Sequence, residues 1–175
     1  LGDNTTDYLS LNSTNAEASL SGMWGTVGAG TSTFGYTAGT SAPTNNDTVA
    51  YFFKSVKGFS KFGSYTGNGN SDGSFIYTGF KPAWIMMKKT SSGTGRGWFI
   101  FDNKRIGYNP KNYVLEANDT AADGTNDRID LLSNGFKLRT TDLILNESGV
   151  NYIYMAFAEE PLVANVGASI PATAR

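Results

Sequence analysis

The chain has 175 residues and a formal net charge of −1, a length that one β-sandwich domain commonly fills. It contains no cysteine and no histidine, which excludes a disulfide framework, a thiolate nucleophile and the commonest transition-metal ligand. Lysine and arginine are scattered, and no apolar run approaches the roughly 20 residues that span a bilayer. We therefore expect neither a nucleic-acid partner nor membrane insertion.

The chain is rich in residues that favour strands and turns, with 21 glycines, 11 phenylalanines and 9 tyrosines. Alternating apolar, β-branched and aromatic clusters bounded by Gly, Asn, Asp and Ser predict about ten short strands. We predict an all-β antiparallel sandwich of the jelly-roll or lectin-like kind with little helix. The predicted strands are Tyr8–Leu11, Thr33–Tyr36, Val49–Phe53, Phe75–Phe80, Trp84–Lys88, Trp98–Phe101, Tyr113–Leu115, Ile129–Leu132, Phe136–Arg139 and Tyr152–Ala158.

Three dipeptides between predicted strands suggest tight hairpins, because glycine after Asp or Asn readily takes positive φ. They are Asp72-Gly73, Asp123-Gly124 and Asn134-Gly135. By contrast, the segment from Ser55 to Asn70 has no regular alternation. Only Asn15–Ser21 and Glu159–Val163 have room for a turn or two of helix.

We expect one domain over residues 1–163, followed by a small, polar, proline-containing tail over 164–175 that either moves freely or docks on a neighbouring subunit. An internal echo suggests a repeat, in which residues 1–58 are the closing half of one β unit and 59–163 a complete second copy. The alternative, that any two hairpins of a sandwich look alike, stays open. The echo pairs Phe34–Thr37 and Val49–Phe53 with Phe136–Arg139 and Tyr152–Phe157.

The candidate metal site is a cluster of carboxylates in a Gly- and Asn-containing segment. Asp119, Asp123 and Asp127 supply hard oxygen donors of the kind Ca²⁺ prefers, although their spacing is not that of an EF-hand. Turn-forming aspartates that cap their own backbone explain the same residues. We expect no cofactor, with Ca²⁺ as the one possible ion, and no catalytic residues.

The three tryptophans separate into two predicted roles. Trp84 and Trp98 lie inside apolar strand patterns and are predicted to be core residues. Trp24 lies between glycines in a loop-like stretch. Because pyranose faces stack on aromatic rings, Trp24 is the predicted glycan-stacking residue.

Several segments resemble a domain of tailed-bacteriophage virion proteins, and the resemblance covers residues 45–175. In those proteins similar modules lie near the C-terminus of long structural or tail-fibre chains, often behind a concanavalin-like sandwich. The resemblance implies a virion setting and carries over no catalytic residue. The matching segments are Phe59–Gly69, Asp72–Trp84, Leu132–Arg139, Tyr152–Glu159 and Pro171–Arg175.

From these observations we expect a non-enzymatic virion structural protein, a tail-fibre or host-attachment module on the virion surface, outside the cell. We expect partners that are copies of itself, for example in a trimer, other virion proteins and a host surface glycan. An architectural capsid-decorating or filament-forming subunit is the alternative. A polysaccharide-degrading enzyme that uses the carboxylates between Asp119 and Asp130 is a third reading.

Overall fold

A computed structural model describes residues 7–20, 49, 51–91, 93, 97–105, 109, 111–160, 163–164 and 170–171. Trp24 and the predicted strand Thr33–Tyr36 lie outside these residues. The described part contains strands and turns but no helix. Its strands are β1 (Asp7–Tyr8), β2 (Ala18–Ser19), β3 (Ser60–Thr66), β4 (Phe75–Tyr77), β5 (Pro82–Lys89), β6 (Trp98–Asp102), β7 (Lys111–Glu116), β8 (Gly124–Leu132), β9 (Gly135–Leu138), β10 (Asn151–Ala158), β11 (Val163–Ala164) and β12 (Ile170–Pro171).

Eight of these strands form one sheet in the order β3-β10-β5-β6-β7-β8-β9-β4, with antiparallel pairing throughout. Strands β5 to β9 follow one another as a meander, and β10 returns to lie between β3 and β5. The edge strands β3 and β4 are consecutive in the chain. The predicted all-β antiparallel class is confirmed, and the sheet curls into a nearly closed, barrel-like sandwich.

Aromatic contacts across the core explain the curvature. The rings of Tyr65 in β3 and Tyr152 in β10 are stacked with their centroids 5.0 Å apart, and Phe136 in β9 meets Tyr65 edge-on at 6.3 Å. Phe136 also lies 5.4 Å from Tyr154. Because β9 is near one end of the strand order and β3 and β10 are at the other, these contacts bring the two ends of the sheet together.

Asn146 fixes the connection between the two edge strands. Its side chain is fully buried, and its Nδ2 donates to the backbone oxygens of Asn70, at 2.8 Å, and Thr140, at 2.7 Å. Its Oδ1 accepts from the backbone N–H of Asn68 at 2.8 Å. These hydrogen bonds satisfy the buried amide, whereas a buried polar group without a partner costs about 1–3 kcal/mol of folding free energy. The network holds residues 67–73 in place where β4 begins.

Each strand predicted between Phe75 and Ala158 overlaps an observed strand. The predicted strand Val49–Phe53 is wrong, since Val49 and residues 51–53 lie outside any strand and are exposed. Conversely, β3 was missed in the irregular segment. Its inward positions include Lys61 and Gly63, and the ring of Tyr154 lies against Gly63, so that the apolar alternation is broken in the sequence.

Short strands also occur where none was predicted. Ala18–Ser19 pairs with Asp7–Tyr8, in a stretch read as lacking strand pattern. The predicted tail contains part of a small hairpin, in which Val163–Ala164 pairs with Ile170–Pro171. Strands of two residues are too short to show any alternation, which is why they could not be predicted from the sequence.

The glycines of the three predicted hairpin dipeptides serve another purpose. Positive φ occurs among the described glycines at residues 58, 69, 79, 93 and 149, and not at Gly73, Gly124 or Gly135. A Cβ on Gly73 would lie 2.6 Å from Leu138 Cβ, and one on Gly124 would lie 2.9 Å from Val114 Cγ1. These residues are glycine because a neighbouring strand approaches closely. The β8–β9 turn itself is formed by Ser133 and Asn134.

Candidate functional site

The outer face of β10, β5 and β6 is apolar and largely covered. Met155, Met86 and Ile100 lie opposite one another across the three strands, and Met86 is buried. The N-terminal segment of residues 7–20 lies against β5 and β6 on this face. The Trp98 Nε1 donates to the Ser10 carbonyl oxygen at 2.8 Å, and the Lys88 Nζ donates to that of Ser13 at 3.3 Å. Trp98 is buried, as predicted, but beneath this segment and outside the barrel interior.

Further along the same face, four aromatic residues contact Phe157, and together with it they form what we call the Phe157 cluster. Its members are Phe53, Phe59, Phe62, Trp84 and Phe157, with ring centroids 5.7 to 6.3 Å from that of Phe157. Phe53 is 60% exposed and Phe59 39% exposed. Trp84, predicted to be a core residue, is only half-buried and belongs to this outer cluster.

The opposite end of the sheet presents a different outer face, which we call the β4 surface. It consists of Asp72, Phe75, Tyr77, Asp130, Lys137 and Arg139. In the strand register, Asp130 lies opposite Lys137, and Lys137 lies opposite Phe75. Tyr77 lies opposite Gly135. Because alternate residues of a strand share a face, Phe75 and Tyr77 point outward together while Ile76 between them is buried.

Gly135 supports the Phe75 ring. The position that a Cβ on Gly135 would occupy is 3.0 Å from Phe75 Cε2 and Cζ, and it would overlap the Ile76 carbonyl oxygen. The ring therefore lies over the glycine, a cross-strand arrangement that protects bare backbone near a sheet edge. Phe75 remains 45% exposed and Tyr77 64% exposed.

The β4 surface also carries two cations and two carboxylates, which form ion pairs with one another. Lys137 Nζ lies 2.7 Å from Asp72 Oδ1, and Arg139 Nη1 lies 3.5 Å from the same oxygen. Arg139 Nε also pairs with Asp130. The hydrogen bond from Lys137, together with its charge and that of Arg139, lowers the pKa of Asp72. The carboxylate is held ionised as an acceptor.

The predicted calcium ligands do not converge on one point. Asp119, Asp123 and Asp127 are all exposed. Asp119 Oδ1 accepts from the backbone N–H of Ala121, as a turn-forming aspartate does, and Asp123 Oδ2 lies 3.2 Å from Arg105 Nη1. No group of three or more acidic side chains placed to hold a metal occurs among the described residues. The predicted glycan-stacking residue, Trp24, lies outside the described residues.

One carboxyl group that the sequence did not single out is electrostatically unusual. Burial raises the pKa of Glu116, the charge of Asp119 raises it further, and the charge of Arg128 opposes both. Other carboxylates near the barrel ends are ion-paired: Glu159 with Lys81 at 2.7 Å, and Asp142 with Arg128 at 3.1 Å. A lone carboxyl of raised pKa is a weak sign of catalysis, because structural groups show the same shift.

In the described part of the chain, no helix is long and apolar enough to cross a membrane. Fold and surface together define an antiparallel all-β domain with an exposed aromatic surface on one edge strand. Residues 1–161 match the family model of DUF7483, a domain of unknown function, and the chain belongs to that family. No curated protein and no solved structure matches the chain.

Proposed function

We propose that this domain is a non-catalytic component of a bacteriophage virion, a tail-fibre or host-attachment module. The observation that carries the proposal is the β4 surface, where two exposed aromatic rings lie beside ion-paired polar groups. Exposed aromatic residues with an apolar body and a polar rim are enriched in recognition surfaces. The resemblance of residues 45–175 to tailed-phage virion modules supplies the setting.

The chemistry of this surface supports recognition over catalysis. Glycoside hydrolysis needs a carboxylic acid whose pKa is raised so that it can donate a proton. The ion pairs of Asp72 do the opposite and lower its pKa. A carboxylate kept ionised beside donors is suited to holding a ligand.

A module of this kind acts on the virion surface, outside the cell, as a homo-oligomer such as a trimer joined to other virion proteins. The test is quantitative mass spectrometry of purified phage particles whose genome encodes the chain. The proposal predicts that the chain co-purifies with particles through a density gradient, in a fixed ratio to the major tail or capsid protein. Recovery only in the unassembled protein fraction of the lysate would contradict it.

The Phe157 cluster favours a second candidate, an architectural subunit that decorates a capsid or forms filaments. Phe53 of this cluster is 60% exposed, Tyr51 two residues earlier in the chain is 81% exposed, and exposed aromatic groups promote association. Light scattering after size-exclusion chromatography, at two concentrations, separates the two candidates. A closed oligomer of fixed mass supports the attachment module, whereas mass that grows with concentration and is lost in Phe53→Ser supports the architectural subunit.

A further inference from the structure

We propose that the β4 surface binds a neutral saccharide, with one pyranose face on Phe75 and Tyr77 and the sugar hydroxyls hydrogen-bonded to Asp72 and Lys137. This inference rests on the proposed function and names the ligand class for that surface. It places recognition on an edge strand of the described sheet, and on residues other than Trp24 and the predicted calcium ligands.

The spacing of the two strand positions is on the scale of one sugar ring. Phe75 and Tyr77 are two residues apart on one strand, which places their Cα atoms about 6.6 Å apart on the same face. A pyranose has one apolar face of C–H groups and a rim of hydroxyls. Aromatic faces accept such an apolar face, while the Tyr77 hydroxyl remains able to exchange hydrogen bonds at the rim.

The rings stand on backbone that is fixed before any ligand arrives. Just before β4, the Gly73 N–H donates to the Leu138 carbonyl at 3.1 Å. Just after β4, the N–H groups of Thr78 and Gly79 both donate to the Asn134 carbonyl, at 3.0 and 3.1 Å. With the Phe75 ring resting on Gly135 as well, little conformational freedom is lost on binding, which favours affinity for a small ligand.

The charges on this surface select a neutral ligand. Asp72 and Asp130 balance Lys137 and Arg139, so that the four groups have no net charge. Both cations contact Oδ1 of Asp72, whose side chain is 76% exposed, and a carboxylate has capacity to accept further hydrogen bonds from a hydroxyl. An acidic saccharide would have to break these ion pairs, whereas a neutral one adds hydrogen bonds to them.

The size of the surface argues against a second protein chain as its occupant. Stable protein interfaces bury about 1,200–2,000 Å². Strand β4 has three residues and presents two outward rings beside four charged groups. A small polar ligand uses such a surface completely, whereas a protein partner would need contacts well beyond it.

The test is NMR titration of the isotope-labelled full chain with a panel of neutral hexose and N-acetylhexosamine disaccharides and their uronic-acid and sialylated counterparts. We expect at least one neutral disaccharide to shift the amide signals of residues 75–77 and 135–139 saturably. Phe75→Ala and Tyr77→Ala should each weaken that binding by about tenfold or more. The matched controls Phe53→Ala and Tyr51→Ala, at aromatic residues elsewhere that are more exposed than Phe75 and Tyr77 respectively, should leave it unchanged.

A further variant, Lys137→Met, tests the surface with little risk of misfolding, because methionine keeps the aliphatic part of the lysine side chain and removes only the hydrogen-bond donor. It should weaken binding without altering the amide spectrum away from β4 and β9. The inference is overturned if no neutral disaccharide binds at this surface, if acidic ones bind better, or if the two ring variants bind as the parent does. Loss of saccharide binding in a chain that still co-purifies with virions would sink this inference alone, and binding by a chain absent from virions would sink only the proposed function.

Discussion

The outer face of the sheet has two regions, one over β5 and β6 and one over β4 and β9. Side chains alternate inward and outward in both regions, but the outward side chains are buried in the first and exposed in the second. Over β5 and β6, the outward residues Met86 and Trp98 are buried, and the Trp98 indole is hydrogen-bonded to Ser10 in the segment of residues 7–20. Over β4 and β9, the outward Phe75 and Tyr77 are bare and lie beside ion pairs. Strand β4 is also apolar on both faces, so the alternation alone does not decide which outward residues are covered. Phe75 and Tyr77 stay exposed, and the surface around them is available for recognition.

The largest expected effect comes from removing the buried indole beneath the N-terminal cover. Trp98→Ala leaves a large void and removes the hydrogen bond to the Ser10 carbonyl, and we expect it to destabilise the fold by about 3–5 kcal/mol. Phe75→Ala on the other face should cost no more than about 1 kcal/mol, because the ring is already half in water. Urea unfolding followed by far-ultraviolet circular dichroism measures both. Equal losses would show that the faces are not energetically different.

The next effect comes from the glycine beneath the Phe75 ring. Gly135→Val places branched carbons against the Ile76 carbonyl and the Phe75 ring, so that β4 must shift away from β9 at a cost of about 1–3 kcal/mol. The neighbouring turn variant Ser133→Ala serves as the control and should behave as the parent does. Thermal unfolding and the β4 amide signals measure the change. A valine variant with unaltered stability and spectrum would contradict the account of why this residue is glycine.

The barrel interior contains buried tyrosines, and these should make the stability of the fold depend on pH. Burial raises the pKa of Tyr152 to about 12, and burial with the charge of Tyr152 raises that of Tyr65. A raised folded-state pKa means that the associated stability is fully present below the unfolded tyrosine pKa of about 10 and is lost as pH rises toward the folded value. We therefore expect unfolding in urea to become easier above pH 10. Tyr152→Phe should flatten that dependence, and an unchanged slope would contradict the assignment.

The smallest effect is expected at the exposed ion pairs. Lys137→Met should move the melting temperature by no more than about 2 °C, because exposed pairs are screened and cost side-chain entropy. Since the pKa of Asp72 is lowered, the pair stabilises the fold above the unfolded aspartate pKa of about 3.9 and loses its effect as pH falls toward the folded value. Melting curves at neutral pH and below that pKa check this. A large change in the melting temperature at neutral pH would show that the pair mainly stabilises the fold, which would contradict its role in recognition.

Much of the sheet could be predicted from alternation, and the exceptions have local causes. Strands from Phe75 to Ala158 were found because their apolar residues recur with period two. Strand β3 was missed because Lys61 and Gly63 occupy inward positions opposite Ala156 and Tyr154. At Gly135 the sequence correctly marked the β8–β9 connection but suggested the wrong reason, since close packing and not positive φ requires the glycine.

The β4 surface was hidden for a different reason. The outward pairing of Phe75 and Tyr77 can be read from the Phe-Ile-Tyr alternation, but their neighbours Lys137 and Gly135 are supplied by a strand about 60 residues further along the chain. Such a register is not visible in one sequence. Conversely, Asp119 and Asp123 are close in sequence, but their side chains make separate local contacts. Proximity along the chain is a poor guide to a site built on a sheet.

Hydrogen-exchange mass spectrometry of the full chain, with and without a neutral surface glycan that it binds, compares the two faces in one experiment. The account predicts slower exchange in peptides that cover residues 72–80 and 132–139 when the glycan is present, and unchanged exchange in residues 7–20. Protection confined to residues 51–62 or 7–20, with none over β4 and β9, would contradict the claim that the β4 surface is the recognition surface.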